Sequence, residues 1–131
     1  MPDNLCRQFA QILNSNIMDS KDGSCSVIRL RDNLKINILG RPSTSGLTLA
    51  AMFSYEDMDQ QGNTLNLGET VILPREIYRF SSILQRQGII VTAVHNHWLF
   101  DNPRIMYIHF ESVEPPLHFA MKVAKAFQTL T

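Results

Sequence analysis

The fold class is decided by Leu47-Thr48-Leu49-Ala50-Ala51-Met52-Phe53-Ser54-Tyr55, in which apolar side chains recur at every second position. A period of two is the pattern of a β-strand with one buried face. The polar residues 56–63 end in Gly62-Asn63, a hairpin-turn signal, and residues 64–73 then predict the returning strand. Gly68 lies inside that second strand and indicates a bulge or a close approach of another group to the backbone.

Alternation also marks the chain before this hairpin. Residues 25–31 and 34–39 alternate on either side of Asp32-Asn33, which predicts another hairpin with Leu34, Ile36 and Ile38 on its buried face. Residues 40–46 have the composition of a loop.

Three segments carry apolar residues at helical spacing. The first covers residues 5–17, with Asp3 or Asn4 as its cap. The second opens at Pro74, since proline suits the first helical position, and the third follows Pro115-Pro116. Two further strands, residues 89–98 and 104–111, lie between the second and third helices.

These segments give the order helix, four strands, helix, two strands, helix. Mostly antiparallel strands with a few helices predict an α+β fold, a single domain over residues 1–131. We expect a twisted antiparallel sheet of about six strands with the helices packed on it. The pattern leaves open whether the sheet is one piece or two.

Composition excludes several classes of protein. The 131 residues are 44% hydrophobic with zero formal net charge, which excludes a disordered chain. Without a basic excess we expect no nucleic-acid partner, and no apolar run approaches the roughly 20 residues of a transmembrane segment. The first residues lack the plan of a signal peptide, so the chain as it stands predicts a cytoplasmic protein, with export as the alternative.

The two cysteines, Cys6 and Cys25, lack the close spacing of a metal-binding pair. Two reduced, partly buried thiols are the simplest prediction for a small apolar domain. A disulfide between them stays open at this point, because its geometry cannot be read from spacing.

The segment from Val91 to Glu111 holds the candidate site. His95 and His97 alternate with Asn96, so on a strand they point the same way, about 6–7 Å apart. If Trp98 faces Arg104 across the next turn, His95 lies opposite Tyr107, and Ala93 lies opposite His109.

That register brings His95, His97 and His109 to one face, and a slip by one residue removes His109 from it. Three imidazoles plus water form a catalytic zinc arrangement, so we predict a divalent metal such as zinc. Glu69 is the predicted fourth ligand or general base, with Asp101 and Glu111 as further acids. The plainer alternative is that these are ordinary hydrogen-bonded histidines, and His118 on the last helix is given no role.

A resemblance rests on three stretches: Gly68-Glu69-Thr70-Val71-Ile72-Leu73, residues 88–97 ending in His95-Asn96-His97, and residues 103–110. They are similar to the LppY/LpqO family, a bacterial group described as a domain of unknown function. The resemblance implies a functional His95-Asn96-His97 strand but no activity. Family members often carry an export or lipoprotein signal and often have aspartate at the position of Glu69.

Three functions stay open. The first is binding of a metal or small-molecule ligand, with Asn96, Trp98, Arg104 and Tyr107 as ligand contacts. The second is a metal-dependent hydrolase, so enzymatic activity is undecided. The third is a non-catalytic interaction or structural module that pairs through an edge strand, for example as a homodimer.

Overall fold

The computed structural model describes residues 2–131 as two sheets and four α-helices. In chain order the elements are α1 (Asn4–Ile12), β1 (Asn16–Lys21), β2 (Ser24–Leu30), β3 (Ile36–Ile38), β4 (Arg41–Ser43), α2 (Gly46–Leu49), β5 (Ala50–Glu56), β6 (Thr64–Ile72), a 3-10 turn (Pro74–Glu76), α3 (Ile77–Arg86), β7 (Ile90–His95), β8 (Asp101–Asn102), β9 (Met106–Glu114) and α4 (Pro116–Phe127).

The main sheet has six antiparallel strands in the order β1-β2-β5-β6-β9-β7. A second sheet has three strands in the order β4-β3-β8. The predicted α+β class and the six-stranded antiparallel sheet are therefore confirmed. The structure also shows that the strands form two separate sheets.

Helices α1, α3 and α4 cover one face of the main sheet. Their apolar stripes meet alternate strand residues in one core, which includes Phe9, Val27, Phe53, Phe80, Phe110, Phe119 and Val123. The predicted close approach at Gly68 is confirmed, since a Cβ added there would lie 2.3 Å from Cε2 of Phe110. Within residues 2–131, none of the helices is long and apolar enough to cross a membrane.

The opposite face of the main sheet is covered at one end by the second sheet. Val71 and Tyr107 point to this side and pack with Leu34, Ile36, Leu49, Leu73 and Ile105. The other end of this face is bare, so that Leu67 and Val113 are exposed. The candidate site lies where the covered part of the face meets the bare part.

Several predicted element boundaries are wrong. The strand predicted over residues 89–98 ends at His95, and the segment predicted to connect it to the next strand contains β8. The first helix ends at Ile12, and Ile17 lies in β1, because positive φ at Asn14 turns the chain back along the sheet. The strand predicted from Leu47 starts only at Ala50, since Ser45 caps the short helix α2 by accepting a hydrogen bond from the Leu47 backbone N–H. The predicted loop of residues 40–46 contains β4.

The predicted hairpin between residues 25–31 and 34–39 is also wrong. β2 pairs with β1 and β5, so both of its edges are occupied. β3 pairs instead with β4 and β8 in the second sheet. The buried side chains Leu34 and Ile36 pack on the face of the main sheet that the helices leave free.

The prediction of two reduced thiols is wrong as well. Cys6 and Cys25 form a disulfide, with Cα atoms 5.6 Å apart. The bond joins α1 to β2, and both sulfur-bearing residues are buried in the helix-side core. The two cysteines meet only because helix α1 packs on the sheet. Their separation along the chain does not reveal this packing.

Candidate functional site

The register of β7 against β9 positions the histidines. Ala93 pairs with His109 and His95 pairs with Tyr107, as the sequence predicted. β9 also pairs with β6 on its other edge, where Glu69 faces His109. Because side chains directly opposite one another in a sheet share a face, Glu69, His109 and His95 lie together on the side away from the helices.

The three imidazoles converge. The ring of His95 lies 4.8 Å from the rings of both His97 and His109, measured between centroids. One nitrogen from each ring lies within 4.8 Å of the others, the spacing of a group that could hold a metal ion. In a tetrahedral site with bonds of about 2.1 Å the ligand nitrogens lie about 3.4 Å apart, so the three rings would have to move closer together to hold an ion.

His109 has two differently placed ring nitrogens. Its Nδ1 lies 3.5 Å from a carboxylate oxygen of Glu69. Its Nε2 is buried and has no hydrogen-bond partner within residues 2–131. A buried polar atom without a partner costs free energy, on the order of 1–3 kcal/mol, unless something absent from the protein chain satisfies it.

His97 follows the end of β7 and is held by an aromatic contact. Its ring stacks on that of Tyr107, with centroids 3.9 Å apart and planes 10° from parallel. Burial lowers the pKa of His97, and the neighbouring His95 and His109 lower it further against the opposing effect of Glu69. The lowered pKa favours the neutral imidazole, which is the form that binds metals.

Tyr107 is fixed by hydrogen bonds at its other end. Its hydroxyl accepts a hydrogen bond from Nε1 of Trp98 at 2.9 Å and donates one to the carbonyl oxygen of Thr48 at 2.8 Å. Burial raises the pKa of Tyr107, only partly offset by the Trp98 hydrogen bond, so the phenol stays neutral. The sequence predicted Trp98 and Tyr107 as ligand contacts. The structure stacks Tyr107 on His97 and joins Trp98 to the Tyr107 hydroxyl, and the link to Thr48 has no signal in the sequence.

The remaining predicted residues lie apart from the three rings. Asn96 is exposed and donates to the backbone carbonyl of Trp98. The exposed Arg104 pairs with Asp101, whose buried carboxylate also accepts the Ile105 N–H. Glu111 pairs with Leu67 and Ile90 one step further along the sheet, and His118 is exposed on α4.

A cavity of about 350 Å³ opens beside Glu69 and His109 on the bare part of the sheet. Small side chains in neighbouring strands form it, because Ser26 pairs with Ser54 and neither fills the space above the sheet. Met52 and Leu67 provide apolar walls. The cavity therefore joins the histidine cluster to a space of the size that a small molecule needs.

Comparison with known proteins places the chain in a family without assigning an activity. No curated protein and no solved structure matches it. A family model described as Domain of Unknown Function (DUF1259) matches residues 7–129. The match covers both sheets, α3 and every residue of the histidine cluster. The chain therefore belongs to the family described as Domain of Unknown Function (DUF1259).

Proposed function

We propose that the protein binds a divalent metal ion through His95, His97 and His109. The observation that carries this proposal is Nε2 of His109, which is buried, lacks a partner and belongs to a cluster of three imidazoles. Within residues 2–131 no group of the protein supplies the hydrogen bond that the plainer alternative requires for this atom.

Zinc is the first candidate for the ion. Imidazole ligands suit zinc, copper, iron and nickel, whereas magnesium and calcium prefer oxygen ligands. Three histidines and one water molecule form the usual open zinc site with tetrahedral geometry. The cluster offers three imidazoles on one face of the sheet, which matches that ligand set.

Glu69 has a supporting role in this proposal. Its carboxylate lies on the Nδ1 side of His109, and a hydrogen bond from Nδ1–H would leave Nε2 free for the metal. A carboxylate in this position orients the ring and makes it more basic. Removing such a partner costs about 10–100-fold in metal affinity, so Glu69→Gln is expected to weaken binding without abolishing it.

A small ligand would occupy the cavity beside Glu69 and His109. The ligand would then bind the metal at its fourth coordination position, and Met52 and Leu67 would contact the apolar part of the ligand. The enzymatic alternative is hydrolysis by a metal-activated water. Pairing of two copies through the outer edge of β7, the non-catalytic alternative, stays a prediction.

Metal titration of the purified protein tests the proposal. Isothermal titration with zinc is expected to give one ion per chain for the native protein, and at least about 100-fold weaker binding for His95→Ala and His109→Ala. His118→Ala is the matched control, because it removes an exposed histidine outside the cluster and should bind as the native protein does. Circular dichroism of each variant establishes that it is folded.

Two results would overturn the metal site. One is a folded native protein that binds none of zinc, cobalt, nickel or copper. The other is unchanged stoichiometry and affinity in folded His95→Ala and His109→Ala variants, since the ion would then lie elsewhere.

The disulfide bears on the compartment in which the chain works. Structural disulfides persist in oxidising compartments and are rare in the cytosol. The Cys6–Cys25 bond therefore favours export over the cytoplasmic location predicted from the first residues. The resemblance to the LppY/LpqO family, whose members often carry export signals, supports the same proposal. Rapid alkylation of the protein in whole cells should find both cysteines blocked, and two free thiols would contradict it.

A further inference from the structure

A second cavity, of about 240 Å³, lies on the opposite side of the main sheet from the histidine cluster. It opens where the C-terminal ends of α1 and α4 meet β2. Apolar side chains form most of its wall, and the full lining is Ile12, Leu13, Arg29, Phe53, Ala124, Phe127 and Gln128. The cavity therefore has one charged group, Arg29, among largely apolar neighbours.

Strand alternation directs Arg29 into this cavity. Cys25 and Val27, earlier in β2, are buried in the helix-side core, and Arg29 shares their face of the strand. Ala51 is the partner of Arg29 on β5, and its small side chain leaves room beside the arginine. The chain thus has a cation at a position where the alternation predicts an apolar side chain.

The charge of Arg29 is not balanced within the chain. Among residues 2–131 its guanidinium has neither an ion-pair partner nor a hydrogen-bond acceptor. It lies over the ring of Phe127, 4.9 Å from the centroid, a contact that stabilises a cation without using its N–H groups as a carboxylate would. Burial and the nearby Arg31 lower the pKa of Arg29, and Asp32 only partly opposes them.

The cavity offers a ligand one positive charge. Arg31 is already bound by Glu76 through two hydrogen bonds of 3.0 Å, and the lining contains no cation besides Arg29. A phosphate dianion would therefore keep one charge unpaired beside apolar groups, which is unfavourable. A carboxylate matches both the single charge and the planar fork of a guanidinium.

We propose that this cavity binds a small monocarboxylic acid, with the carboxylate on Arg29 and the apolar chain against Leu13 and Phe127. The volume of about 240 Å³ has room for roughly eight groups of the size of a water molecule, which is about the size of hexanoate. This site does not depend on the proposed metal ion, because the main sheet separates the cavity from the three histidines.

Titration with hexanoate, followed by NMR, tests the proposal at the cavity itself. The methyl signals of Ile12, Leu13 and Ala124 are expected to shift until they saturate. Those of Met52 and Leu67, in the cavity beside His109, should stay in place. Hexanol has the same chain without the charge, and acetate has the charge without the chain, so each should bind at least about tenfold more weakly.

Two variants separate the contributions of charge and space. Arg29→Gln should weaken hexanoate binding at least about tenfold, because only the apolar chain would still be bound. Ala124→Leu should weaken it by a similar factor, since the larger side chain fills the cavity while Arg29 is unchanged. Circular dichroism of each variant establishes that it is folded.

Arg41→Gln is the matched control. It removes the same charge from an exposed position in β4, which belongs to the second sheet on the opposite face of the main sheet. Its affinity for hexanoate should equal that of the native protein. An equal loss of affinity in Arg41→Gln and Arg29→Gln would contradict the proposal, because the effect would then be one of net charge.

Three further outcomes would overturn the proposal. The first is the absence of saturable shifts at the three methyl groups up to about 50 mM hexanoate. The second is native affinity in folded Arg29→Gln. The third is hexanol that binds as tightly as hexanoate, since the cavity would then be an apolar space that does not recognise the carboxylate.

Discussion

The buried ion pair between Arg31 and Glu76 gives the sharpest prediction about stability. Both side chains are almost completely buried, and the guanidinium donates to both carboxylate oxygens at 3.0 Å. Oε1 of Glu76 also accepts the Leu73 N–H, and Oε2 accepts the N–H and the hydroxyl of Thr131. The pair therefore ties β2, the 3-10 turn and the end of the described chain together.

The pKa of Glu76 shows how strongly the fold favours its charged form. Burial alone would raise the pKa, but the hydrogen bonds from Arg31, Thr131 and Leu73 outweigh burial and lower it from 4.5 to about 2. Because the folded state has the lower pKa, its stabilising contribution is complete above pH 4.5 and is lost as the pH falls toward 2. The difference between the ordinary pKa of 4.5 and the folded-state pKa of about 2 corresponds to about 3 kcal/mol of unfolding free energy.

Glu76→Gln should remove that contribution at neutral pH. The variant leaves the Arg31 guanidinium buried without a counter-charge, which costs about 3–5 kcal/mol, in line with the value from the pKa. Urea unfolding at about pH 7 and about pH 3 measures the free energies. The difference between native protein and variant should be largest at neutral pH and shrink below pH 4.5.

Glu56→Gln is the control, since Glu56 is exposed and its substitution should change the unfolding free energy by less than about 0.5 kcal/mol. The reasoning is refuted if Glu76→Gln loses less than about 1 kcal/mol at neutral pH, or if the difference from the native protein does not depend on pH.

Two further substitutions probe the sheet and the site. Gly68→Ala should destabilise the protein by about 1–3 kcal/mol because the added Cβ would overlap the ring of Phe110. In thermal unfolding, Phe110→Leu in the same chain should recover part of this loss. An unchanged melting temperature for Gly68→Ala would contradict the close approach. Tyr107→Phe should cost about 1–3 kcal/mol by leaving Nε1 of Trp98 without its partner. The phenylalanine ring of Tyr107→Phe still stacks on His97, so its zinc affinity should stay within about threefold of that of the native protein. Tyr107→Leu removes the stacked ring and should lower zinc affinity. Equal effects of Tyr107→Phe and Tyr107→Leu on zinc affinity would show that the stacking is unimportant.

The shared face of His95 and His109 was predictable from the sequence because it depends on the pairing of two strands. Alternation from Ala93 to His95 gives the face of His95, and the register of β7 against β9 adds His109, whereas His97 lies beyond the end of β7. The position of Glu69 opposite His109 depends on β6 pairing with the other edge of β9, which spacing along the chain does not express.

The wrong hairpin and the wrong prediction of two reduced thiols share one cause. Alternation shows that residues 25–30 and 34–38 are extended, but it does not say which strands are neighbours. β2 takes β1 and β5 as partners, so the chain after Asp32-Asn33 has to leave the main sheet. The disulfide likewise depends on where α1 packs, and no property of residues 6 and 25 by themselves reports it.

The sequence by itself determined the local properties of this protein: which segments are strands or helices, which side chains share a face, and where glycine is required. These follow from periods of two and 3.6 residues within single elements. The tertiary structure decided which strands are neighbours, how the second sheet covers one end of the free face, and that the ring of His97 stacks on Tyr107. Those outcomes depend on contacts between residues far apart in the chain, whose combined burial selects one arrangement from many that satisfy the same local pattern.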